Sequence, residues 1–210
     1  MLDAIRKNSL TLAIFTAITT GITAMIHGLT SPIIHHQSML KKQELLDQII
    51  PPQLYNNHLQ NTCYFVSNPA LGNNESHHLY LARMNSIPVA VAIETTAPNG
   101  YSGNIQMIIG ASFDGIIYGT RVIEHHETPG LGDKIELRLS NWITSFNGKK
   151  IINHKDNSFA IKKDGGDFDQ FTGATITPRA VVNTVKRTVI YIKSLPNQLN
   201  SLPICQEQNQ

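Results

Sequence analysis

The sequence predicts an α+β protein: an apolar N-terminal helix long enough to cross a bilayer, then a domain of antiparallel sheet packed with helices. Three observations carry this. Residues 8–40 contain no Asp, Glu, Lys or Arg. Residues 62–125 break into short β-like runs separated by Gly, Asn, Asp and Pro, the pattern of strands joined by turns. Two later stretches repeat apolar residues at helical spacing, and strands followed by helices argue α+β rather than alternating βαβ units.

The first element is the apolar run. Ser9 to Leu29 is mostly Leu, Ile, Ala, Thr, Phe and Gly, and a span needs about 20 such residues. Its threonines (Thr11, Thr16, Thr19, Thr20, Thr23) can return their hydroxyls to preceding carbonyls, which lowers the cost of burial in lipid. Arg6 and Lys7 abut the run, whereas the first cation beyond it is Lys41. That asymmetry orients the N-terminus to the cytoplasm and the remainder outside it. A cleaved leader would have a shorter core, about 7–15 residues, and a small-x-small cleavage site; a buried core helix would not need the abutting cations. The expected organisation is a cytoplasmic terminus at 1–8, an anchor at 9–30, a stalk helix at 31–52, the folded domain at 53–195 and a loosely ordered tail at 196–210.

Within the stalk, Leu40, Leu45, Leu46, Ile49 and Ile50 recur at helical spacing until Pro51-Pro52 stops the helix. Strands are expected at Cys63 to Val66, Leu79 to Ala82, Val89 to Ile93, Ile105 to Ile109 and Ile116 to Ile123. Phe113-Asp114-Gly115 reads as the hairpin turn before the last of these. A helix is expected from Lys134, with Asp133 as N-cap, Glu136 closing a capping box, and Ile135, Leu139, Trp142, Ile143 and Phe146 on one face up to Asn147-Gly148. The last helix runs from Pro178 to about Lys193, with Thr177 as N-cap and Val181, Val182, Val185, Val189 and Ile192 as its buried stripe.

Charged residues are 15% of the chain, well under the roughly one quarter of soluble domains, as expected if part of it lies in lipid. A net charge of +2 without a basic, aromatic-studded stripe argues against a nucleic-acid partner. Cys63 and Cys205 are compatible with a disulfide or with two separate thiols. His125, His126 and Glu127 are consecutive with or adjacent to one another, and neighbouring strand residues face opposite sides, so they make poor joint metal ligands. His35-His36 and His77-His78 have less support still. No metal site is expected. Nor is there a Gly-x-Gly-x-x-Gly fingerprint or an acid, base and nucleophile set; catalytic residues are expected to be none.

The informative segment is Asp164 to Pro178, DGGDFDQFTGATITP. Thr172-Gly173-Ala174-Thr175 offers only small side chains, so a bulky group can approach the backbone. A helix begins just after it, and its unpaired N–H groups favour an anion. Physics alone gives an anion site beside a threonine hydroxyl. A small-residue turn that merely caps a helix fits the same pattern.

Asp169-x-x-Thr172-Gly173-Ala174-Thr175-x-Thr177 resembles the flavinylation motif of the covalent FMN-binding domain family. The resemblance implies FMN joined by a phosphoester to Thr175, with Asp169, Thr172, Gly173, Ala174 and Thr177 forming the surface around it. It also implies a separate Mg²⁺-dependent flavin transferase that uses FAD as donor. Glu124 to Lys134 is similar to the loop that faces the isoalloxazine ring in that family, which adds Glu127, Thr128, Pro129, Gly130 and Leu131 to the cofactor-binding set. Pro129-Gly130 makes a tight turn and leaves Leu131 free to pack on a flat ring.

Within the family, the anchor, the Gly100-Tyr101-Ser102-Gly103 turn, the Glu-Thr-Pro-Gly-Leu-Gly loop and the motif together resemble the G subunits of Rnf (Rsx) ion-translocating electron-transport complexes. That implies an FMN-carrying electron-transfer subunit in the bacterial inner membrane, single-pass, with a periplasmic domain and flavin and iron–sulfur subunits as partners. It implies no independent catalysis by the isolated chain. The C subunit of the sodium-pumping NADH:quinone oxidoreductase shares the motif on a usually longer chain. A membrane-tethered flavin reductase acting on a small periplasmic substrate, and a flavin-free tethered scaffold, are the remaining alternatives.

Overall fold

The computed structural model describes residues 2–205, with side chains at 2–4, 31–39 and 200 outside the description. The chain divides into two compact units, Met1–Glu44 and Leu45–Gln210. The helix α1 spans Leu2–Ile49. It includes Pro32, so the anchor and stalk expected as separate segments share one helix; a proline deletes one backbone hydrogen bond without ending an apolar helix.

In the first unit, Ile5–Thr30 has a mean hydropathy of 1.7 and is long and apolar enough to cross a membrane. Phe15, Leu12, Leu10 and Met25 are all exposed, which is the surface that lipid would cover. The expected back-bonding of hydroxyls is present: Thr11 to the Lys7 carbonyl, Thr16 to Leu12 and Thr23 to Thr19, at 2.8–2.9 Å. Each removes a bare hydroxyl from an apolar surface.

The second unit is built on a five-stranded antiparallel meander: β1 Cys63–Val66, β2 His77–Met84, β3 Ile87–Ala97, β4 Ile105–Ser112 and β5 Ile117–Glu124, in that spatial order. All five expected strands exist; β2, β3 and β4 are longer than the apolar runs suggested, and β5 is shifted by one residue. The Asp114-Gly115 turn forms as expected, with Gly115 at φ +88 and its N–H donating to the Ser112 carbonyl at 3.0 Å.

Side chains alternate across the sheet, and both faces are covered. Leu79, Leu81, Val91, Ile93, Met107 and Ile109 pack under α2 (Ile176–Ser194) through Val181, Val182, Val185, Val189 and Ile192. Tyr80, Ala82, Ala90, Ala92 and Ile108 pack on the opposite side against Leu46, Ile49, Ile50 and Leu59. Gly110 and Gly119 are paired in register and form a dimple for Ile49: a Cβ would lie 2.7 Å from the Ile49 carbonyl oxygen at Gly110, and 2.9 Å from its Cα at Gly119.

One expectation fails here. The helix at 134–146 is replaced by two 3-10 segments, Gly132–Ile135 and Asn141–Phe146. Glu136 does not close a capping box; its carboxyl accepts from Arg138 and pairs with His125. Ser140, extended at φ −157, caps the second segment by accepting from the Trp142 N–H. A capping residue in mid-pattern splits the helix. Ile135, Ile143 and Phe146 are still buried, while Leu139 is exposed. Beyond α2, Cys205 is disulfide-bonded to Cys63, and Phe65 donates to the Pro203 carbonyl at 2.8 Å, lining residues 203–205 along the β1 edge. Residues 206–210 lie outside the described residues.

Candidate functional site

The segment that leads into α2 is shaped by its own residues. Phe171 to Ala174 is a tight turn closed by the Ala174 N–H on the Phe171 carbonyl at 3.1 Å. Gly173 sits at φ +81, a conformation that a side chain resists. The turn is held from behind by Trp142, whose Nε1 donates to the Asp169 carbonyl at 2.7 Å and whose ring meets Phe171 edge-on at 5.1 Å. Asp164 and Arg179 form a two-point pair at 2.6 and 2.9 Å, tying the chain before the turn to α2. The guanidinium hydrogen bond holds the Asp164 carboxyl below its ordinary range.

Thr177, expected as the helix cap, does not take that place. Instead α2 begins at Ile176 and Thr175 is the N-cap residue, with φ −75 and ψ −27 and no side-chain capping bond. Its backbone already has helical angles, which turns the hydroxyl away from the N–H groups it would otherwise serve. Thr177 lies inside the first turn, fully buried, and donates its hydroxyl to Oε2 of Glu127. The helix start therefore keeps backbone donors without intrahelical partners beside an uncommitted threonine hydroxyl.

Glu127 organises the surroundings. It is 4% exposed. Its Oε1 accepts from the Ser102 N–H at 3.0 Å, while its own N–H donates to His125 Nδ1 at 3.0 Å. Glycines crowd it: a Cβ on Gly100 would stand 2.8 Å from Oε1, and one on Gly132 would stand 2.8 Å from both Oε2 and the Thr177 hydroxyl. One carboxyl thus joins the 100–103 turn, the 127–132 loop and α2. In that loop Pro129-Gly130 forms the expected turn, with Gly130 at φ +76 and the Leu131 N–H on the Thr128 carbonyl at 3.1 Å.

These three segments enclose a cavity of about 260 Å³ lined by Tyr101, Glu127, Thr128, Leu131, Gly132, Gly173, Ala174, Thr175, Ile176 and Thr177. Of the residues expected in the site, Glu127, Thr128, Leu131, Gly173, Ala174, Thr175 and Thr177 come together here. Pro129, Gly130 and Thr172 are exposed parts of the turns that shape it. Asp169 is not in the wall; its carboxyl pairs with Lys162 at 2.6 Å. Tyr101 and Ile176 line the cavity without having been expected; their signals were a tyrosine in a Gly-Tyr-Ser-Gly turn and an isoleucine between two threonines.

The cavity fits a flavin phosphate in kind. The lining is apolar at Tyr101, Leu131 and Ile176, and its floor at Gly132 and Gly173 would be filled by side chains, a Cβ at 173 reaching Leu131 Cδ2 at 3.4 Å. The nearby cations Lys162 and Arg179 already have carboxyl partners, which leaves the α2 backbone donors for an anion. Elsewhere, Cys63, His78 and Cys205 place donor atoms within 4.8 Å of one another, but both sulfur atoms are bonded to each other. Both ring nitrogens of His125 are engaged, by Glu136 and by the Glu127 N–H.

Comparison with known proteins agrees. The FMN-binding domain family model matches residues 100–190, and the RnfG N-terminal region model matches residues 1–49. The G subunit of the ion-translocating oxidoreductase complex of Erwinia tasmaniensis is 70% identical over 210 residues, covering 100% of both chains. The protein of the same name from Photorhabdus laumondii is 59% identical over 209 residues, again covering 100% of both. That from Escherichia coli is 58% identical over 207 residues, 99% of this chain and 100% of the other.

Proposed function

This chain belongs to the G subunits of ion-translocating oxidoreductase complexes, and from that premise we propose that it carries its FMN as a phosphoester on Thr175. It is an FMN electron-transfer subunit of an ion-translocating complex; the sodium-pump C subunit, the flavin reductase and the flavin-free scaffold are not favoured by these relationships. The observation that carries the attachment site is the Thr175 hydroxyl, which makes no capping bond and lines the cavity at the start of α2.

In the attachment step, the Thr175 oxygen displaces AMP from the FMN-side phosphorus of FAD, forming one phosphoester and breaking one phosphoanhydride. The hydroxyl proton leaves to a base of the separate transferase. The ester keeps one negative charge, which the α2 N-terminus favours by about 0.3–1 kcal/mol. Bound FMN supplies a ring that takes up and releases electrons. The chain's own residues position it: Leu131 and Ile176 offer apolar surface, Glu127 holds the walls in register, and the tether keeps the local flavin concentration high. Nothing in this arrangement needs an acid or base acting on a further substrate, which supports reading the isolated chain as a carrier. Its electron partners are then flavin and iron–sulfur subunits of the same complex.

The proposed topology is single-pass in the bacterial inner membrane, with the N-terminus cytoplasmic and the FMN domain periplasmic. Arg6 and Lys7 at the N-terminal end of the span support it, as does a Cys63–Cys205 disulfide, which persists in oxidising compartments. The test is direct. Full-length chain co-produced with a flavin transferase is expected to fluoresce in a denaturing gel and to gain the mass of FMN minus water. Thr175→Ala is expected to lose both. A colourless wild-type chain of unmodified mass sinks the attachment.

A further inference from the structure

We propose that Tyr101 is a ring-contacting residue of the flavin site, stacking on the isoalloxazine; this rests on the reading that FMN occupies the cavity beside Thr175. Tyr101 is 68% exposed although it lines that cavity. Its backbone is not free: the next residue donates its N–H to the buried Glu127, and Gly100 fits against the same carboxyl with no room for a side chain. An exposed aromatic on an anchored turn has given up burial while keeping a fixed position, the combination found where a ligand completes the packing.

The neighbours agree. Tyr101 is the sole aromatic side chain lining the cavity among the described residues. Leu131 and Ile176, at the same walls, are 40% and 45% exposed. Three large apolar side chains from three separate segments therefore leave surface open around one small opening, and the residues flanking Tyr101 are polar or glycine: Asn99, Gly100, Ser102 and Gly103. A phenol ring offers a flat face to a flat ring and keeps its hydroxyl wet. The glycines beside it let the turn approach closely.

A stacked phenol returns excited flavin to its ground state by lending and recovering one electron, so stacking is read as dim flavin fluorescence. The full-length chain and its Tyr101→Leu, Tyr101→Phe and Tyr101→Trp variants would be matured with flavin transferase, their FMN load fixed by intact mass, and the native fluorescence per bound flavin compared. Tyr101→Leu is expected to be several-fold brighter than wild type, Tyr101→Phe brighter too, and Tyr101→Trp at least as dim. Fully loaded Leu and Phe variants as dim as wild type would overturn the stacking and leave the Thr175 attachment standing. If Tyr101→Leu fails to mature, the comparison of Phe with Trp decides in the same way, equal brightness counting against. A wild-type chain without covalent FMN overturns both readings.

Discussion

Two threonines separated by one residue are expected to answer the same substitution in opposite ways. Thr177→Val keeps the shape of a fully buried side chain and deletes the hydrogen bond to Glu127 Oε2. Glu127 is 4% exposed, so that oxygen loses its partner in a buried setting, and an orphaned buried acceptor costs about 1–3 kcal/mol. For a unit of this size each kcal/mol is worth roughly 2–4 °C of melting temperature, which gives a drop of roughly 2–12 °C. Thr175→Val removes a hydroxyl that makes no capping bond. Its cost is expected within about 0.5 kcal/mol, although it removes the proposed attachment point. Both variants would be melted as full-length chains in detergent, made without flavin transferase so that a lost cofactor does not enter the comparison. Intact mass after co-production with the transferase would then report attachment. A Thr175→Val chain as destabilised as Thr177→Val would refute the assignment of roles, because the hydroxyl at 175 would then be holding the helix. A neutral Thr177→Val would remove Glu127 as the organiser of the site.

Three further outcomes follow from the scaffold. Cys205→Ser opens a bridge across a sequence separation of 142 and is expected to cost about 2–5 kcal/mol, read as a fall in melting temperature matched by reduction of the wild type; an unchanged melt would argue that the tail adds nothing to the β1 edge. Gly119→Ala places a Cβ 2.9 Å from the Ile49 Cα, a clash with backbone expected to cost about 1–3 kcal/mol, measurable in urea. Acid should weaken the domain in a defined window: Glu136 is held below its ordinary value by Arg138, Asp156 by Ser158 and Asp164 by Arg179. Their contributions are fully present above the ordinary carboxyl values near about pH 4 and are lost as pH falls through the lower folded values. Because Asp164 is exposed and Glu136 and Asp156 are only half-buried, solvent screens these interactions and the effect is small, and Asp164→Asn is expected to flatten part of that acid limb in a pH series of melts.

The existence of the five strands was legible because β-branched runs stand between turn residues, and the Asp114-Gly115 hairpin announced itself. Strand ends were not. β3 was expected to stop at Ile93 but continues through Glu94-Thr95-Thr96, polar residues whose partners are distant in sequence. Thr95 shares a hydrogen bond with Thr188 at 2.9 Å, Thr96 bonds Gln106 at 2.8 Å, and Glu94 pairs with His78 at 2.7 Å. A window of a few residues sees only polarity there. The expected helix at 134–146 failed for a related reason: apolar spacing marks which residues are buried, and Ile135, Ile143 and Phe146 are buried, but Ser140 interrupts the backbone between them. The candidate site was legible as far as its small residues and its helix start. The placement of Glu127 under Ser102 and Thr177 was not, since it joins segments 25 and 50 residues apart.

That buried carboxyl also explains how the two threonines at the start of α2 divide their tasks. Rigidity at the cavity comes from Glu127 and Thr177, both hidden from solvent, while the hydroxyl of Thr175, which also lines the cavity, makes no capping bond. Separating the two tasks means that esterifying residue 175 breaks no hydrogen bond on which the fold depends. Gly132 leaves room for that brace, because a Cβ there would press on both Glu127 and Thr177 at 2.8 Å. Gly132→Ala should therefore move the helix start or break the brace. Since the ester oxygen itself is untouched, its expected signature is a lower melting temperature together with incomplete flavin loading. Full loading with an unchanged melt would show that the loop and the helix start are not coupled through this contact.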